Sequence, residues 1–359
     1  MTMHNFCSGP AILPKIVIEE AQQALVNFKN TGLSILEMSH RSKEILEMIA
    51  QAKSHVFQIS GLSENDYEVM FLHGGASLQF SMIPMNLLMD NEIASYINTG
   101  LWTEKAIQEA KLFGNVHIAG SSKTDNFNYI PTDIKIHEKS EYVYIASNNT
   151  VYGTQWKNFP DTGNIPLIAD MSSDIFSRNI DYSKFKLIYA GAQKNIGAAG
   201  VCLVIMHKSL IKNKQRNVPS MLNYAVHSKS LSVFNTPPVF SIYTCLLTLQ
   251  WLQSSGGLPY FDTYNTAKAK LFYDCLDKSE IFEGTCNIAD RSIMNATFRF
   301  KKAHEHLQDA FVQLCKENNI VQIKGHSTVG GYRASMYNAL RKESVQVLCD
   351  VMTHIAEKA

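Results

Sequence analysis

Seven short, almost wholly apolar runs are spaced between residues 67 and 206, at 67–72, 93–97, 116–119, 142–146, 167–169, 187–189 and 201–206. Runs of this length, without polar alternation and bounded by Gly, Asn or Asp, predict strands buried on both faces. Helix-like or loop sequence separates them. The pattern therefore predicts an α/β fold with a mainly parallel, mixed sheet of seven strands between helices. Ahead of the sheet, Pro14 opens a segment with Val17, Ala21, Leu25 and Phe28 at helical spacing, and Gly32 stands where a C-cap would close it.

The texture changes after Gly256-Gly257. Helical spacing over 261–276 is followed by a strand pattern at 292–300, a helix at 303–316 and strand patterns at 320–323 and 332–337. A last helix carries Val345, Leu348, Met352 and Ile355 on one face. A second, smaller α/β domain is the reading, as expected for a chain of 359 residues, longer than one core usually supports.

Two of the predicted strands end in residues with chemistry. Lys194 follows the apolar run 187–189 through Ala190-Gly191-Ala192-Gln193 and precedes Asn195-Ile196-Gly197. A lysine among small residues at a strand's carboxyl end points to the edge where open α/β sheets bind ligands. Confinement there lowers its pKa, and the free amine can form a Schiff base with an aldehyde. Asp170 ends the run 167–169 in the same way, and suits the ring nitrogen of pyridoxal phosphate, whose protonation lets the ring accept electrons. Capping a turn is the other ordinary use of such an aspartate, and Asp174 competes with it from beyond the strand end.

A third junction, Phe71-Leu72-His73-Gly74-Gly75-Ala76-Ser77, reads as strand, glycine turn and helix start, where free N–H groups and the Ser77 hydroxyl can hold a phosphate. Any tight turn from strand to helix has the same composition. Trp102 suits either a ring stacked on a pyridine or a core tryptophan. Thr150, in Ser147-Asn148-Asn149-Thr150, suits either a cofactor contact or a polar turn.

Composition narrows the partners. Lys plus Arg (33) balances Asp plus Glu (32), so no overall field draws the chain to nucleic acid or to an anionic membrane. No apolar stretch approaches the ~18 residues of a membrane helix, and the N-terminus lacks the pattern of a secretory signal, so a cytoplasmic protein is expected. The seven cysteines form no C-x-x-C pair; reduced thiols are expected, and no metal site.

Together these segments resemble the phosphoserine aminotransferases, in the class V branch of the fold-type I pyridoxal phosphate enzymes. The similarity runs from Ser8-Gly9-Pro10-Ala11 to Arg333-Ala334-Ser335-Met336-Tyr337-Asn338-Ala339. It is densest in MSHRSKE (38–44), GGASLQF (74–80), SNNTVYGTQW (147–156), DMSSDIFSR (170–178), AGAQKNIG (190–197), PSMLNY (219–224) and NTPPVF (235–240). The resemblance implies a fold-type I transferase with a large cofactor-binding domain (16–258) and a small domain made of 1–15 and 259–359. It implies Lys194 as the Schiff-base lysine, Asp170 as the ring-nitrogen partner, Trp102 as the stacking ring and Thr150 as a hydroxyl contact. Gly75, Ala76 and Gln193 would hold the cofactor phosphate, joined by Asn235 and Thr236 from the other subunit of a homodimer.

The same resemblance implies that 3-phosphohydroxypyruvate and glutamate are converted into phosphoserine and 2-oxoglutarate in serine biosynthesis. A phosphorylated hydroxythreonine of pyridoxine biosynthesis would be a second substrate. Arg333 would grip the substrate α-carboxylate, a bidentate job that a guanidinium suits. His40 and Arg41, across the dimer, and His326 would surround the distal phosphate or side-chain carboxylate. One position departs: the family's Gly-His-Arg is Gly325-His326-Ser327 here. Loss of one charged hydrogen bond costs roughly 1.5–3 kcal/mol, about 10- to 150-fold in affinity. Arg41, His40, His326 and Lys324 remain to compensate, and Ser327 and Thr328 can donate from their hydroxyls. The nearest alternative is a class V aminotransferase for another 2-oxo acid. A non-catalytic relative that kept the fold is the alternative from another class, which Lys194, Asp170 and Arg333 together disfavour.

Overall fold

The computed structural model describes residues 2–211 and 216–358. In chain order the elements are β1 (His4–Asn5), α1 (Lys15–Val26), α2 (Lys43–Ser60), β2 (Tyr67–Leu72), α3 (Gly75–Leu87), β3 (Ile93–Asn98), α4 (Leu101–Ala110) and β4 (Asn115–Ser121). Then come β5 (Ser140–Ala146), β6 (Leu167–Asp170), β7 (Leu187–Gly191), β8 (Cys202–His207), α5 (Tyr224–Lys229), α6 (Val239–Ser254) and α7 (Gly257–Asp277). The chain finishes with β9 (Phe282–Gly284), β10 (Asn295–Phe300), α8 (Gln308–Glu317), β11 (Ile320–Val321), β12 (Tyr332–Ser335) and α9 (Lys342–Ala356).

All seven apolar runs form strands of one sheet, in the order β2-β8-β7-β6-β5-β3-β4. Pairing is parallel from β7 to β4, while β8 runs antiparallel to both β2 and β7. The parallel block ends its strands β5, β6 and β7 along one edge, with Ala146, Asp170 and Tyr189 in register across it. Burial on both faces fails for β4, where only Ala119 is buried. The strand is the sheet's margin, with β3 on one side and no strand on the other.

Helix α2 shows how the sequence fixes these layers. The Ser42 side chain accepts from the Ile45 N–H at its start, and Gly61 at φ 69° ends it in the left-handed region. Its buried face, Ile45, Met48, Ile49, Ala52, Val56 and Ile59, packs under the sheet with α6. Each Ile, Met or Val among them contributes about 1.5–3 kcal/mol when fully buried. Helix α1 differs from its expectation. It stops at Val26, capped by Asn27 donating to the Gln23 carbonyl, and Gly32 lies beyond a further turn at Phe28–Asn30. Asn27 turns the chain so that Phe28 is buried, while Leu25 stays 39% exposed.

The C-terminal part has its own core, around Phe272, Phe282, Phe298, Phe311 and Leu348. Its antiparallel sheet runs β12-β10-β9. The N-terminal strand β1 joins this part rather than the large sheet, pairing parallel with β11 and burying Phe6 in the same core. Sequence reading missed β9, whose three residues are too few to show a period. Strand β10 starts later than the pattern suggested, because the Ser292 hydroxyl accepts from the N–H groups of Met294 and Asn295 and holds a turn there.

Candidate active site

The carboxyl edge of β5, β6 and β7 opens into a cavity of about 360 Å³, a volume suited to a small ligand. Lys194 enters it from the turn after β7, and its Nζ donates to Thr150 Oγ1 at 2.9 Å. The same Nζ lies 5.4 Å from the centroid of Trp102. Burial pushes the Lys194 amine below the ordinary lysine range; Asp170 opposes that shift, and Arg333 adds to it. The loop before α1 passes close by. A Cβ on Gly9 would meet Lys194 Cγ at 3.3 Å, so the glycine leaves the lysine its room.

Asp170 is buried at the end of β6 and lines the cavity. Its Oδ1 accepts from the Ser172 N–H at 2.9 Å, so the turn-capping use and the cavity-facing position coexist in one carboxylate. Ser172 in turn accepts from the Gly191 N–H at 3.0 Å, tying the ends of β6 and β7 together. Asp174 is engaged elsewhere: Ser147, Gln155 and Arg178 all donate to it, and it does not line the cavity.

At the floor, Gly74 precedes α3 at φ 81°, where a Cβ would meet Leu78 Cβ at 2.5 Å. No side chain caps α3, and its first turn carries no acidic residue. The start of this 13-residue helix therefore offers unpaired N–H groups and a positive dipole end, with Gly75, Ala76 and Ser77 on the cavity wall. A Cβ on Gly75 would meet nothing within 4 Å, so the backbone is approachable from the cavity. Gln193 lines the opposite side, and its carbonyl accepts from the Ala11 N–H at 2.8 Å.

Arg333 arrives from β12 of the small sheet. Its Nη2 donates to Ser8 Oγ at 2.6 Å and its Nη1 to the Thr150 carbonyl at 3.2 Å. Tyr337 donates to the Ser8 carbonyl at 2.8 Å, so β12 and the residues just after it hold Ser8 by both its hydroxyl and its backbone. Burial holds the guanidinium below its usual value, Tyr337 opposing. His326 lines the cavity nearby, lowered by burial first and then by Arg333 and Lys105. Trp102 also lines the cavity, and among the described residues its indole N–H has no partner.

Four expected residues are absent from this cavity: His40, Arg41, Asn235 and Thr236. Arg41 is exposed, His40 Nε2 has no partner among the described residues, and Asn235 and Thr236 sit against His73. Ser327 and Lys324 are exposed and outside the cavity as well, and Thr328 faces a neighbouring cleft. Sequence reading gave no role to Ser8, Gly9, Ser172 or Lys105. Ser8 and Gly9, in Ser8-Gly9-Pro10, and Ser172, in the 170–178 block, stand in motifs without an assigned task. No cluster of His, Cys, Asp or Glu suited to a metal occurs among the described residues, and no helix there is long and apolar enough to cross a membrane.

A buried lysine at a parallel sheet's edge, an uncapped helix start and a buried arginine share this one cavity, and with the fold they define the class: a pyridoxal phosphate-dependent aminotransferase. The sequence profile of class-V aminotransferases matches residues 3–348, and the chain belongs to that family, among its phosphoserine aminotransferases. It is 49% identical over 358 residues to the phosphoserine aminotransferase of Flavobacterium johnsoniae, covering 100% of both chains. Among solved structures it resembles the phosphoserine aminotransferase of Bacillus circulans subsp. alkalophilus, at 42% identity, TM-score 0.96 and 99% of each chain. It also resembles that of Trichomonas vaginalis with pyridoxal phosphate bound, at 34% identity and TM-score 0.92 over 98% of this chain and 100% of that one.

Proposed function

We propose that this enzyme uses pyridoxal phosphate on Lys194 to interconvert 3-phosphohydroxypyruvate plus glutamate and O-phosphoserine plus 2-oxoglutarate. The observation that carries the proposal is the depressed Lys194 amine, held at Thr150 and enclosed by Asp170, Trp102 and Arg333. The cavity fits the cofactor by its donor set. An amine suits the aldehyde, a carboxylate with one oxygen left free by Ser172 suits the ring nitrogen, and an uncapped helix start suits the phosphate. When bound, pyridoxal phosphate supplies a carbonyl that takes up the amino group and a ring that accepts the substrate's electrons.

The chain's own residues do the rest. Lys194 would hold the cofactor through its Nζ, and the same amine, when free, would take the proton from the substrate Cα and hold it for return. Asp170 keeps a proton on the ring nitrogen. Arg333 would exchange its present partners for the substrate's α-carboxylate, and Trp102, on the cavity wall beside Lys194, would help hold the ring. The amino group passes in two half-reactions, so the kinetics are ping-pong.

The active unit is a homodimer in which His40, Arg41, Asn235 and Thr236 serve the neighbouring subunit's cavity. What supports this is the apolar surface beside them. Ile16, Ile18 and Val26 are exposed on α1, Leu33 and Leu36 on the segment that leads from it to His40 and Arg41, and Met221, Leu231 and Phe234 on the segment that leads to Asn235. A phosphorylated hydroxythreonine is proposed as a second substrate. A second reading, an acceptor without phosphate, is favoured by Ser327, which carries no charge and lies outside the cavity.

The absorption spectrum tests both. The purified protein loaded with pyridoxal phosphate is expected to show a visible band that glutamate bleaches and 3-phosphohydroxypyruvate restores. A band that glutamate leaves intact refutes the aminotransferase scheme. Restoration by unphosphorylated hydroxypyruvate alone establishes the second reading.

A further inference from the structure

His326 lines the cavity through a ring whose two nitrogens have different surroundings. Its Nδ1 lies 2.8 Å from Thr328 Oγ1 and also receives the Thr328 backbone N–H at 3.3 Å. A backbone N–H only donates, so Nδ1 must be the ring's acceptor, and the proton of the neutral ring then belongs on Nε2. The Thr328 hydroxyl completes the arrangement by donating to Nδ1 as well. That leaves Nε2 as the nitrogen that can meet a ligand in the cavity.

Resting on the proposed phosphorylated substrate, we infer that Thr328 is a positioning residue that fixes the Nε2–H tautomer of His326, so that this ring donates one hydrogen bond to the substrate's distal anionic group. The charged groups facing the imidazole are Arg333 from β12 and Lys105 from α4, both cationic, and the Tyr152 phenol lies against the Thr328 hydroxyl. Burial and these two cations hold the imidazole neutral at pH 7. With Arg333 engaged by the α-carboxylate, Lys105 carries this chain's charge there, while His326 reads direction. A neutral donor suits both a phosphate and the carboxylate of glutamate, because it does not discriminate by charge between the two anions that alternate at one place.

Nitrogen-15 spectra of the histidine rings in the full-length, cofactor-loaded enzyme test this, with the His326 signals assigned by His326→Asn. At pH 7 the expected pattern is a protonated Nε2 and an unprotonated Nδ1, with the Nε2 proton moving downfield when O-phosphoserine is added. Thr328→Val keeps the long backbone contact and loses only the closer hydroxyl donor, so it should raise the share of the Nδ1–H tautomer and raise KM for O-phosphoserine about three- to tenfold, the scale of one neutral hydrogen bond, with a smaller effect on kcat. Thr328→Ser should restore both. A wild-type ring protonated on Nδ1, or a Thr328→Val enzyme with unchanged tautomer and KM, overturns the inference. The expected tautomer in an enzyme that does not respond to O-phosphoserine would instead refute the proposed substrate and leave the tautomer assignment standing.

Discussion

Arg333 Nη2 donates to Ser8 Oγ at 2.6 Å, joining the small sheet to the loop that carries Gly9 past Lys194. The bond orients the guanidinium from outside the large domain, and the Tyr337 hydroxyl fixes the Ser8 backbone from the same side. Ser8→Ala removes one of two hydrogen bonds on the guanidinium and leaves the Thr150 carbonyl. A charged hydrogen bond is worth about 1.5–3 kcal/mol, and part of that returns when substrate takes the free N–H. The expected result is a rise in KM for glutamate of about three- to tenfold with kcat within about twofold, read from steady-state kinetics at fixed acceptor. An unchanged KM would mean that Ser8 does not orient Arg333 in the working enzyme.

Cofactor uptake should follow the protonation of Lys194. Only the neutral amine attacks an aldehyde, and burial has already moved this amine below the ordinary lysine value of about 10.4. Uptake by the cofactor-free enzyme, followed as growth of the visible band, should therefore rise with pH through a midpoint below that value. Asp170 is the charge that holds the midpoint up, so Asp170→Asn should move it further down while lowering kcat by about 100-fold or more. A wild-type midpoint at the ordinary lysine value, or an upward shift in Asp170→Asn, contradicts the electrostatics described here.

The sequence showed most of the cavity because its wall is local. Lys194, Asp170, Thr150 and the Gly74-Gly75 turn each stand at a strand end, and an apolar run followed by one polar residue marks such a place without any knowledge of its neighbours. Asp170 could not be separated from turn capping by that logic, and the structure shows why: it caps and faces the cavity at once. Ser8 and Lys105 are not legible in the sequence, and Thr328 is legible only as a hydroxyl donor beside Ser327. Ser8 matters through a partner 325 positions away, and Lys105 through an imidazole on another element. Strand β4 read as buried because apolar content does not reveal which strand takes the sheet's margin.

Lys105 lies one helical turn beyond Trp102, with its Nζ 5.0 Å from that ring's centroid. Its neighbour Glu104 is taken by Lys123 at 2.6 Å, which leaves the Lys105 charge free to act on the cavity. With Ser327 uncharged and His326 held neutral, this ammonium should carry part of the attraction for a phosphate. Lys105→Met is expected to raise KM for 3-phosphohydroxypyruvate by about three- to tenfold, an exposed cation's contribution of about 1 kcal/mol, and the loss should shrink at high salt. Cofactor affinity, measured by fluorescence titration, should stay within about twofold. Equal losses for phosphorylated and unphosphorylated acceptors would instead make Lys105 a packing residue on Trp102.

A shared site makes a prediction that single variants cannot. If Arg41 serves the neighbouring subunit's cavity, an Arg41→Ala dimer lacks the distal cation in both sites, and a Lys194→Ala dimer lacks the reactive amine in both. A mixed dimer would hold one site with neither defect, formed by Lys194 of one chain and Arg41 of the other, and one site with both. Unfolding and refolding the two variants together at equal amounts makes about half of all dimers mixed, each with one intact site of two. Activity should then return to about a quarter of wild type, against a few per cent for either variant refolded alone. Arg41 acting within its own chain forbids this recovery, since the mixture would perform as the average of its parents. Light scattering on each parent decides the remaining case, because failure to recover has this meaning only if both variants still form dimers.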